Sequence, residues 1–135
     1  MKDTKAGDVV EVVLDASAVI ALVERERGFH KVAEVLGKAK TSAVNFAEAA
    51  AHLTNYGHSA AMAQTILDGL QLHVVPFDHD QAIETARLRP LTRSLGLSLS
   101  GRACLALARL LRLPAITADR AWGRLHLGIK ITVIR

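Results

Sequence analysis

The sequence predicts an α/β domain of three layers, a central parallel sheet flanked by helices. Three observations point to it. Short apolar runs at 9–14, 72–75, 115–117 and 131–134 alternate with longer segments whose apolar residues recur at helical spacing. The runs are continuously apolar rather than alternating, as in parallel strands covered on both faces. The chain has 135 residues, 50% hydrophobic and 22% charged, which suits one globular domain. A chain of this size buries about two-thirds of its unfolded surface, enough for a core without staples.

Residues 1–8 read as an N-terminal tail and 9–135 as the domain. The β-branched run 9–14 predicts a buried strand, and Asp15 follows it directly. Residues 16–26 carry apolar side chains on one helical face; Gly28 breaks that pattern, and 29–39 reads as a second helix. A short extended piece around Thr41 and Ser42 precedes a helix over 44–55, which Tyr56-Gly57 stops. Residues 59–70 predict another helix and 72–75 a strand that Pro76 ends. Asp78 and Gln81 form a capping pair for a helix over 81–91. A loop over 92–99 leads to a strongly apolar helix over 101–112, with Ser100 as its cap. A strand at 115–117, a helical turn at 119–124 and a strand at 131–134 complete the chain.

Composition narrows the function classes. Aromatic residues are 4%, so the core must be Leu, Val, Ile and Ala. The single cysteine, Cys104, excludes an intramolecular disulfide and a multi-cysteine zinc site, and a reducing cytoplasm is the natural compartment. No apolar run approaches the roughly 20 residues that span a bilayer. The charged start of the chain lacks the apolar stretch of a signal peptide, so neither leader nor membrane anchor is expected. A formal net charge of +4 suits a polyanionic partner and equally suits plain solubility.

Two aspartates sit at strand ends, Asp15 closing VVLD and Asp119 closing AITAD. If their strands are neighbours in a parallel sheet, both carboxylates emerge at one edge. They then repel unless a cation lies between them, and Mg²⁺ or Mn²⁺ prefers such oxygen ligands. Each aspartate is also an ordinary helix N-cap, and the two roles are compatible. Glu48 lies in an alanine-rich helix, where it either faces solvent or needs a partner. Arg102, Arg120 and Arg124 follow the acidic edge and are candidate phosphate contacts, or a solvated basic face. The six histidines show no metal spacing. His79 fits a helix start, and His52 and His58 bracket a helix end. Cys104 reads as a core thiol and Trp122 as core or rim packing beside the acidic edge.

Together these segments resemble the PIN domain family and, within it, the VapC toxins of type II toxin–antitoxin systems. VVLDASAVIALV looks like the family's first strand with its first acidic residue, Asp15. TSAVNFAEAAAHL is similar to the segment bearing the second, Glu48, and LGLSLSGRACLALARLLRLPAITADRAW to the C-terminal half, with Asp119 as a matching acid. The resemblance implies a PIN-like fold and metal-dependent endoribonuclease activity. Asp15, Glu48 and Asp119 would be catalytic and would hold Mg²⁺ or Mn²⁺, with Ser17 and Thr117 hydrogen-bonding the carboxylates from behind. It also implies an RNA substrate, a VapB-type antitoxin and a homodimer, and the apolar residues of 16–26 and 44–55 suit an antitoxin groove. The chain departs from the family once. Where the family reads Gly-Asp-Arg, this sequence reads Ser100-Gly101-Arg102. Gly101 leaves an acidic position vacant, which implies impaired metal binding and cleavage. The alternative is an inactive module that keeps its partner surfaces. Nothing in the sequence demands a glycine there.

Overall fold

The computed structural model describes residues 10–135. The tail expected over 1–8, and Val9 at the start of the expected first strand, lie outside the described residues. Among the described residues, five strands form one sheet in the order β3-β2-β1-β4-β5, where β1 is Val12–Leu14, β2 Ala39–Ser42, β3 His73–Val75, β4 Ala115–Thr117 and β5 Ile131–Val133. Every pairing is parallel. The α-helices of the described residues that cover it are α1 Ala16–Glu24, α2 Phe29–Ala33, α3 Ala43–Asn55, α4 Ala60–Asp68, α5 His79–Thr92 and α6 Leu99–Leu111.

The pleat of β1 divides the core. Val12 and Leu14 point to one face and join Val19, Val32, Leu53 and Leu67 from α1 to α4. Val13 points to the other and joins Leu88 of α5 with Cys104, Leu105 and Leu107 of α6. Successive side chains of a strand face opposite ways, so a continuously apolar strand needs two apolar layers. This is the expected three-layer α/β architecture. No helix among the described residues is long and apolar enough to cross a membrane.

Several boundaries differ from the sequence reading, each for a local reason. The first helix ends at Glu24 because Arg25 turns into the left-handed region at φ 53°. The helix expected over 29–39 stops at Ala33, and a 3-10 turn, Leu36–Lys38, follows it. Ala39 instead opens β2, opposite Val12 of β1; strand pairing and burial outweigh its helix propensity. The loop expected over 92–99 contains a 3-10 turn, Arg93–Leu95. The last long helix starts at Leu99, and its cap is Ser98 rather than Ser100: Gly101 N–H donates to Ser98 Oγ at 3.2 Å. Asp78 caps α5, accepting from Gln81 N–H at 2.9 Å, but Gln81 Nε2 donates to Pro76 O at 2.8 Å instead of closing a reciprocal box. Gly28 is required where it stands. Its φ is 92°, and a Cβ there would come 2.4 Å from Ile134 O.

Candidate active site at the carboxyl edge of the sheet

The chain runs from β1 outward to β2 and β3, then returns to β4 on the other side of β1. The crevice between β1 and β4 is therefore where strand order reverses, the place where open α/β sheets carry their sites. Leu14 pairs with Ile116, and Asp15 N–H donates to Ile116 O at 3.1 Å, extending the ladder by one residue. Asp15 and Asp119 thus leave neighbouring strands at the same edge. The N-termini of α1, α3 and α6, capped by Asp15, Ser42 and Ser98, open there too. Their unpaired N–H groups and dipoles favour negative charge.

Asp15 is buried at 5% exposure and fully engaged. Its Oδ1 accepts from Ala18 N–H at 2.9 Å and from Ser17 Oγ at 2.7 Å, and its Oδ2 from Thr117 Oγ1 at 2.6 Å. Burial pushes its carboxyl up to about 6; the three hydrogen bonds oppose the rise, and the charge of Glu48 adds to it. The single hydroxyl protons of Ser17 and Thr117 are both directed at Asp15. Their oxygens then accept backbone N–H groups, Ser17 Oγ from Ala118 at 2.9 Å and Thr117 Oγ1 from Asp119 at 3.0 Å. Asp119 is exposed and caps the 3-10 turn Arg120–Arg124, its Oδ1 accepting from Ala121 N–H at 2.9 Å.

Glu48 reaches the site from α3. Ser100 Oγ donates to Glu48 Oε1, and Ser98 Oγ lies 3.1 Å from Ser100 Oγ. Since Ser100 directs its proton at Glu48, Ser98 donates to Ser100, and a chain of hydrogen bonds runs from Gly101 N–H through both hydroxyls to the carboxylate. Asn45, which sequence reasoning passed over, holds the corner together. It is 1% exposed; its Oδ1 accepts from Ala16 N–H at 3.0 Å and its Nδ2 donates to Ser100 O at 3.1 Å. The available signal was its place three residues before Glu48, on the same helical face.

Asp15, Glu48 and Asp119 line one cavity of about 310 Å³, together with Asn45, Ser98, Ser100, Gly101 and Trp122. Gly101 is not without structural context. A Cβ there would meet Trp122 Cζ2 at 3.3 Å and Ser98 Oγ at 3.6 Å. The buried indole edge borders Gly101, so any side chain at 101 requires the ring to move by a few tenths of an ångström. Arg102 and Arg120 do not line the cavity. Arg102 donates to Thr85 O at 3.3 Å and Arg120 Nε to Arg135 O at 3.2 Å. Every polar side chain lining the cavity offers oxygen, or amide in the case of Asn45, the hard donors that suit Mg²⁺ or Mn²⁺. The carboxylates fit such an ion in kind. As the side chains stand, however, no three acidic, histidine or cysteine residues among those described converge closely enough to hold one.

Known proteins place this architecture. Solved structures that it resembles include a chain of a DNA-bound VapBC from Salmonella typhimurium, at 16% identity and a TM-score of 0.72 over 94% of this chain and 100% of that one. A chain of the DNA-bound VapBC2 from Rickettsia felis matches at 16% identity and a TM-score of 0.69, covering 89% of this chain and 96% of that one. VapC20 from Mycobacterium tuberculosis, described as a sarcin-ricin loop cleaving toxin, matches at 16% identity and a TM-score of 0.67 over 89% of this chain and 99% of that one. Among curated proteins there is no match. At these identities the likeness is one of fold, and the fold is VapC-like. The family model described as PIN domain matches residues 12–126, and the chain therefore belongs to the PIN domain family.

Proposed function

We propose that this chain is a VapC-like toxin, a metal-dependent endoribonuclease that works in the cytoplasm and is weakened in this form by Gly101. One observation carries the reading: Asp15, Glu48 and Asp119, contributed by three separate segments, line a single cavity at the sheet's carboxyl edge. Mg²⁺ or Mn²⁺ would be held by Asp15 and Asp119, with Glu48 as the third carboxylate. When bound, such an ion lowers the pKa of a water and offsets charge on the phosphoryl oxygens.

The chain's own residues do the rest. Ser17 and Thr117 fix both oxygens of Asp15, so its carboxylate presents one orientation. The N-termini of α1, α3 and α6 favour a phosphate at the mouth of the cavity. The net charge of +4 adds affinity for RNA without sequence choice. A VapB-type antitoxin suits the apolar side chains of α1 and α3, and a homodimer completes the assembly. The test is cleavage of an RNA panel in Mn²⁺. Weak cleavage abolished by Asp15→Ala and raised at least about tenfold by Gly101→Asp supports the enzyme, since even groups that merely support ligands are worth about 10–100-fold. No cleavage by either form sinks it.

The vacancy at Gly101 and the lack of convergence among the acids favour a second reading, a non-catalytic PIN module that retains antitoxin binding. Stable co-purification with an antitoxin peptide, without RNA cleavage even after Gly101→Asp, is its expected signature.

A further inference from the structure

We propose that Ser100 is a positioning residue that draws Glu48 against the first turn of α6 and so keeps it from joining Asp15 and Asp119 around a shared cation. The inference rests on the nuclease reading only for the class of ion, a hard divalent metal.

Three observations carry it. Ser100 Oγ donates its own proton directly to Glu48 Oε1, and the Ser98 hydroxyl 3.1 Å away donates to Ser100 Oγ in turn. Ser100 cannot drift toward the cavity centre with its carboxylate, because its carbonyl accepts from the buried Asn45 Nδ2 at 3.1 Å. The first turn of α6 is also open to an anion. It contains no acidic residue, and at Gly101 there is no side chain to contest the place. An acid at 101 would repel Glu48 from this turn; its absence lets the helix N-terminus and the hydroxyl hold the carboxylate instead. The acids accordingly line one cavity yet form no three-carboxylate group among the described residues.

This gives Ser100 an effect opposite to that of a ligand. Its hydroxyl lowers divalent affinity by occupying the carboxylate that the metal needs. The experiment is Mn²⁺ titration of the purified full chain, by calorimetry and by the paramagnetic resonance signal of free Mn²⁺. Wild type, Ser100→Ala, Ser100→Thr and the double variant Ser100→Ala/Glu48→Gln are compared. Ser100→Ala is expected to bind Mn²⁺ about tenfold more tightly, the worth of one hydrogen bond to a charged group. Ser100→Thr keeps the hydroxyl and should bind as wild type does. The double variant should lose the gain. Affinity unchanged or reduced in Ser100→Ala, no Mn²⁺ binding by any form, or a gain that survives Glu48→Gln overturns the proposal. The two readings fail separately. Tighter Mn²⁺ binding without any RNA cleavage counts against the nuclease alone, whereas Asp15-dependent cleavage with no Mn²⁺ gain counts against the role of Ser100 alone.

Discussion

Thr117 Oγ1 donates to Asp15 Oδ2 at 2.6 Å across 102 residues of sequence. The bond crosses the β1–β4 switch and ties the last residue of one strand to the residue that follows the other. Together with the Ala18 N–H that caps α1 through Oδ1 and with Ser17 Oγ, it makes Asp15 the most constrained acid of the cavity.

Removing the charge of Asp15 should stabilise the metal-free protein near neutral pH. With its carboxyl raised to about 6, the folded protein holds a proton that the unfolded chain has already lost. Folded-state proton binding exceeds unfolded-state binding between about pH 4 and pH 6, so stability falls as pH rises through that window. The full cost, up to about 3 kcal/mol at about 1.36 kcal/mol per pH unit of displacement, is present above about pH 6 and absent below about pH 4. Asp15→Asn keeps the shape and the Ala18 cap. Urea unfolding in chelator should show the asparagine variant gaining on wild type from about pH 4 to 6 and then levelling. A difference independent of pH would refute the assignment.

Thr117→Val should cost about 1–3 kcal/mol, because it removes the acceptor of Asp119 N–H and the donor to Asp15 in a buried setting. Thr117→Ser should recover most of the loss. If the valine variant melts with wild type, the hydroxyl is not carrying the connection.

Asn45→Ala should cost about 1–3 kcal/mol by leaving the buried Ala16 N–H without its acceptor and removing the tie from α3 to Ser100 O. Its second consequence is more telling. Ser100 loses its backbone anchor, so the amide resonances of α1 and of the first turn of α6 should shift together in NMR spectra. Shifts confined to α3 would contradict the bridge.

Trp122→Ala should cost about 3–5 kcal/mol, since the indole is 2% exposed and its loss leaves a large void. A milder change probes the same contact. Gly101→Ala gains up to about 1 kcal/mol in helix propensity but brings its Cβ 3.3 Å from Trp122 Cζ2. Its net change in stability should stay within about 1 kcal/mol of zero, and tryptophan fluorescence should report the ring's displacement. A loss above about 2 kcal/mol would mean that the indole cannot yield.

Much of the fold was legible because it rests on local patterns. Apolar runs such as VVL and AIT, short and bounded by breaks in the helical pattern, read as buried strands, and Gly28 and Asp78 mark helix limits through backbone chemistry. The boundaries that escaped were decided at a distance. Nothing near Ala39 forbids a helix; pairing with Val12 in β1 makes it a strand. Ser98 and Ser100 are equally good caps by residue type, and only the packing of α6 selects Ser98.

The site divides in the same way. The sequence by itself determined that positions 15, 48 and 119 are acids and that position 101 is a glycine, because residue identity is all those statements need. Tertiary structure alone decided that the acids share a cavity, that Asn45 stitches three helices around it, that the Trp122 edge borders Gly101, and that Glu48 is bound by Ser100. It also turned Arg102 and Arg120 toward backbone carbonyls outside the cavity. The reason is physical. A carboxylate's chemistry is fixed by its atoms, but its ionisation and its partners depend on burial and on groups that only the folded chain brings within hydrogen-bond reach.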